Sequence, residues 1–87
     1  MARNFDGYFD LWIADVDSII ATMYKNMEAD REAGYQFNGA SLTRQRQEIA
    51  ERQADRANKL ELFKTMTEKD VNRWCFYDLV KRGAIEV

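Results

Sequence analysis

A chain of 87 residues, 46% hydrophobic and 13% aromatic with net charge −2, is expected to form a single domain over residues 1–87, with no excess charge that by itself favours nucleic acid or membrane. The absence of histidine removes the commonest acid–base group at neutral pH, and with it Cys–His, Ser–His–Asp and His-based zinc arrangements; the single cysteine excludes an internal disulfide. The four glycines are isolated from one another, so no glycine-rich phosphate loop exists, and the reading is no enzyme, no cofactor and no metal.

The N-terminal MARNFDGYF has no signal-length apolar run behind a basic start, and nowhere do about 18 uncharged apolar residues follow one another. The expected setting is the cytoplasm, with no membrane association. There is no proline, so long uninterrupted helices are permitted across 8–33 and 40–82.

Helix one is predicted over about residues 6–32, with Asn4 or Asp6 as its cap. Phe9, Ile13, Val16, Ile20, Met23 and Met27 alternate spacings of four and three, a seam that packs lengthwise against another helix. Tyr8, Trp12 and Ile19 widen it on one flank and Tyr24 on the other, while Leu11 falls on the opposite face. Asp6, Asp10 and Asp17 form an acidic ridge, read as a solubilising face or one that docks on the arginines of helix two. Gly34 suits a left-handed C-terminal cap and Asn38-Gly39 a turn, with Tyr35 and Phe37 in a loop tucked against the helices.

Helix two is predicted over about 42–64. Its stripe is poor, because between Leu42 and Leu60 only Ile49 is large and apolar. Residues 43–59 carry five bases and three acids, against three bases and seven acids in residues 1–32, so the two segments attract. Arg44, Arg46, Arg52 and Arg56 are the candidate nucleic-acid contacts, since Arg reads guanine edges and neutralises phosphates. Glu48, Glu51 and Asp55 lie three or four residues from these arginines, which favours a solvated face laced with ion pairs.

Helix three, about 68–82, opens on a capping-box pattern, Thr67 with Asp70, flanked by the staple pair Met66 and Val71. It closes on Lys81-Arg82-Gly83, cations and a glycine at the negative dipole end. Val71, Cys75 and Leu79 point one way, Trp74 and Tyr77 another, Phe76 and Val80 a third, and a helix apolar all round is buried all round. Cys75, between Trp74 and Phe76, reads as a buried structural thiol.

The expected architecture is all-α: an antiparallel hairpin of two long helices, about 35–40 Å long, with the shorter third helix packed back and a helical bundle completed as a dimer. The expected function is a protein–protein interaction module, an adaptor, inhibitor or assembly subunit. Leu11, Trp12, Trp74, Phe76, Tyr77 and Val80 are the candidate partner or dimer interface. Nucleic-acid binding through helix two is the alternative.

Overall fold

The computed structural model describes residues 5–32 and 39–86, apart from the side chains of 39–42. Three helices and no strand are found among the described residues: α1 (Tyr8–Glu32), α2 (Gly39–Phe63) and α3 (Glu68–Lys81). Gly34, Tyr35, Phe37 and Asn38 of the expected cap, loop and turn lie outside the described residues, as does the Leu42 side chain.

The helix ends follow from local chemistry. Gly7 adopts φ +85°, a left-handed conformation that keeps Asp6 out of α1 and starts the helix two residues later than its acidic cap suggested. The Phe9 amide, orphaned in the first turn, is satisfied from another helix: it donates to Asn72 Oδ1 of α3 at 2.8 Å. α2 begins at Gly39, ahead of the expected start near 42, where glycine is well tolerated at a helix entry. Between α2 and α3 the amides of Lys64, Thr65 and Met66 bond back three residues, at 3.3, 3.0 and 3.1 Å, turning the chain tightly. Thr67 then caps α3, its hydroxyl accepting from the Asp70 amide at 3.2 Å. At the far end Gly83, φ +75°, donates to Val80, and Ala84 donates to Leu79, so both orphan carbonyls are paired in a Schellman arrangement.

α1 packs against both other helices. Trp12, Cys75 and Leu79, each no more than 1% exposed, form the centre of the core. Val16, Ile20, Ile49, Phe63 and Val71 surround them, with Phe9, Ile13, Met23 and Met27 half-buried against them. The expected α1 seam is therefore the core face, but its most buried member is Trp12 from the flank. Trp12 and Trp74 meet edge-on at 5.9 Å, and Phe63 lies 5.3 Å from each.

Phe76 is buried because aromatic rings at and before the start of α1 cover it: Tyr8 at 4.9 Å and Phe5 at 5.1 Å. Thus the third apolar side of α3 is closed by the chain's own N-terminal segment, a cover that the helical wheel of α3 alone did not supply. Overall the molecule measures 56 × 27 × 16 Å with a radius of gyration of 16.4 Å. A compact chain of this length has a radius of gyration of about 12 Å, so this fold is long and thin.

Candidate interaction surfaces

Of the six residues expected at an interface, Trp12 and Phe76 belong to the core and are not offered to a partner by this conformation. Trp74 and Val80 are half-buried, Trp74 beneath the Lys59 ammonium at 5.5 Å. Leu11, 53% exposed, and Tyr77, 59% exposed, lie on the surface, with Leu62 and Tyr24 also largely exposed.

The arginine face of α2 is largely neutralised where it is paired. Arg44 meets Glu48 at 3.3 Å one turn on, and Arg56 reaches across to Asp17 of α1 at 2.7 Å. Gln53 donates to the Tyr24 hydroxyl at 3.1 Å beside it. One member of the acidic ridge, Asp17, is thus a contact with α2. Asp10 borders a hollow, Asp6 is exposed and in contact with neighbouring groups, and the ridge shares no common ligand point.

α3 is tied to α1 by a polar clasp that sequence spacing did not reveal. The Trp12 indole N–H donates to Asp78 Oδ2 at 2.8 Å. Arg82 Nε approaches the same oxygen at 2.8 Å, and its Nη1 lies 3.6 Å from Asp15. Asn72, 5% exposed, is the other buried polar link. Its signal in the sequence is that it is the one amide on the stripe Val71, Asn72, Cys75, Phe76 and Leu79. Burial, and secondarily the nearby Asp78 carboxylate, push the Cys75 thiol up to about 12, which makes it a poor nucleophile at neutral pH.

Three concave regions stand out among the described residues. The first, about 490 Å³, opens where the start of α1, the end of α2 and the start of α3 meet; Phe9, Leu60, Phe63 and Val71 line it, and Asp10, Lys64 and Glu68 border it. A rim of both signs selects no ligand charge. The second is a groove between α1 and α2 beyond the end of α3. It comprises a hollow of about 370 Å³ at Met23, Arg52 and Asp55 and one of about 170 Å³ at Met23, Met27 and Ile49; the third concavity, about 330 Å³ at Met27, Arg31 and Arg46, lies on the other face of the α1–α2 pair, the side of the Tyr24–Gln53 contact.

The register explains why this groove is open. Phe9 bonds to Asn72, Trp12 to Asp78, and Asp15 approaches Arg82, so α3 runs out near Asp15 while α1 continues to Glu32. The α1 positions facing α3, Tyr8, Trp12 and Asp15, continue at helical spacing into Ile19, Met23 and Asn26. At 1.5 Å per residue α3 covers about 21 Å of helices about 37 Å long.

Among the described residues no group of three or more Cys, Asp and Glu side chains is placed to hold a metal ion, and no helix is long and apolar enough to cross a membrane. No family model matches the chain, and no curated protein and no solved structure matches it.

Proposed function

We propose that this chain is a small helical protein-binding module, an adaptor, inhibitor or assembly subunit without catalytic activity. In this reading α1 and α2 form an antiparallel hairpin, α3 is the brace that stiffens one half of it, and the other half is the working surface. The single observation that supports it most directly is the open groove past α3, with Met23 and Met27 half-buried and Ile49 at its floor. Methionine side chains fill irregular gaps and adapt to a facing surface, which suits a site completed by another polypeptide. A buried free thiol at Cys75 fits a cytoplasmic, reducing setting.

Protein is favoured over nucleic acid as partner because Arg44 and Arg56 are engaged with carboxylates, and Glu48, Glu51 and Asp55 border the same groove as Arg52. A groove so bordered repels phosphate.

The test is capture on the immobilised chain, from an extract of its native cells supplemented with a differently tagged copy of the chain. Wild type is expected to hold a protein, and the double variant Met23→Glu/Met27→Glu is expected to hold about tenfold less, since charges would be placed on a surface desolvated by the partner. Capture of nothing, or capture indifferent to the variant, would overturn the reading. Retention on a DNA or RNA column that is lost with Arg46→Glu/Arg52→Glu would transfer the function to nucleic acid.

A further inference from the structure

We propose that the hollow where α1 begins, α2 ends and α3 begins is a binding site for a small uncharged molecule with an apolar body and a carbonyl oxygen, which the side-chain amide of Asn72 holds. The site lies at the other end of α1 from the groove past α3, and it does not depend on what that groove captures.

The walls set the body of the ligand. Phe9 of α1, Leu60 and Phe63 of α2, Met66 of the connection and Val71 of α3 present apolar side chains to a space of about 490 Å³. Small-molecule sites occupy about 300–1,000 Å³, are apolar over most of their lining, and carry a few polar groups that fix orientation. Phe63, Val71 and Asn72 are buried, so the floor of the hollow belongs to the core and is formed before anything binds.

Asn72 sets the polar contact. Its Oδ1 accepts from the Phe9 amide at 2.8 Å, and because a backbone amide can only donate, the oxygen must face Phe9 and Nδ2 must turn away from it. Asn72 is 5% exposed, and its Nδ2 has no acceptor among the described residues. Yet the side-chain polar atom among them that is both sealed from solvent and unpaired is Gln45 Oε1, so Nδ2 is reached through the hollow that Asn72 lines. A donor in an apolar recess, its orientation locked from behind by Phe9, favours a molecule that brings an acceptor and penalises one that lacks it.

The rim sets the charge. Lys64 is paired with Glu61 at 2.7 Å, which leaves Asp10 and Glu68 to oppose an anion. The N-terminal ends of α1 and α3 meet at the same rim, and their partial positive charge opposes a cation. An uncharged molecule meets neither penalty.

The experiment titrates the full isotope-labelled chain with acetophenone, with α-methylstyrene, which has the same shape but a CH2 group in place of the oxygen, and with benzoate, following amide resonances by NMR. Acetophenone is expected to shift the backbone amides of Gly7, Phe9, Phe63 and Val71, with a dissociation constant of about 1 mM for so small a probe. The side-chain amide protons of Asn72 are expected to move downfield with acetophenone and not with α-methylstyrene. Benzoate is expected to bind at least about fivefold more weakly than acetophenone. Asn72→Asp keeps an oxygen for the Phe9 amide and removes the donor, so the preference for acetophenone over α-methylstyrene is expected to fall about tenfold, a ratio in which the shared apolar contact cancels. Leu60→Gln alters a half-buried wall and leaves the floor intact; it is expected to weaken both neutral probes alike, by about fivefold, and it serves as the test if the carboxylate of Asn72→Asp prevents folding. Shifts that fall elsewhere on the chain, or no shifts at all, would overturn the proposal. So would Asn72 side-chain protons that respond equally to both neutral probes, benzoate bound as tightly as acetophenone, a folded Asn72→Asp with its preference unchanged, or a Leu60→Gln that binds like wild type.

Discussion

Replacing the Cys75 thiol by a methyl group isolates one titration in the middle of the core. The thiol is fully buried and its ordinary value of 9.0 is raised to about 12, first by desolvation and then by the Asp78 carboxylate. Below pH 9 it is protonated in both the folded and the unfolded chain and makes stability no function of pH. Between pH 9 and 12 the unfolded chain releases its proton while the folded one keeps it, so the folded state loses stability as pH rises through that window. Urea unfolding of wild type and Cys75→Ala should therefore differ by a constant amount from pH 6 to 8, with wild type falling progressively relative to the variant from pH 9 upward; a difference that stays constant to pH 11 would show that the thiol is hydrated. Burial of this cysteine was legible from its apolar neighbours. The roles of Asn72 and Asp78 were not, because a polar side chain on a helix reads as solvated until the partner amide or indole is known to lie opposite it, and Phe9 and Trp12 are more than sixty positions away.

The elements were legible where their signals are local. The Thr67 cap and the Gly83 terminus are each written within about five residues, and both occur as the side-chain chemistry dictates. Gly83 offers a clean check of how much such a terminus contributes: φ is +75°, and a Cβ added there would meet nothing within 4 Å. The cost of Gly83→Ala is then purely conformational, about 1–2 kcal/mol, the penalty of the left-handed region for a residue with a Cβ. Thermal or urea unfolding measures it, and a loss below about 0.3 kcal/mol would mean that α3 ends equally well by fraying. Helix boundaries were less legible where they depend on more than the residues at hand. The entry to α1 is moved by the backbone of Gly7. α2, whose only fully buried side chains among the described residues are Ile49 and Phe63, is held in place by α1 and not by a stripe of its own.

At the scale of the whole molecule the core is lopsided, and its stability must be lopsided too. Trp12, Phe63, Val71, Cys75 and Leu79 are gathered at the end braced by α3, whereas beyond Ile20 the only fully buried side chain among the described residues is Ile49. Segments with few buried apolar contacts open at lower free energy than the global transition, so the amides of residues 23–32 and 43–49 should exchange by local opening while those around Trp12 and Leu79 exchange only when the chain unfolds. In dilute solution the first set is expected to be at least about tenfold less protected than the second. A polypeptide captured on the groove would bind the closed form alone and stabilise it by mass action, so that the protection of those distal amides would rise with its concentration while that of the braced end is nearly unchanged until global unfolding is itself affected. Hydrogen exchange with and without the captured protein reads both effects. A flat protection profile would mean that α1 and α2 close on each other without α3, and a steep profile that ignores the captured protein would mean that it docks elsewhere than on the groove.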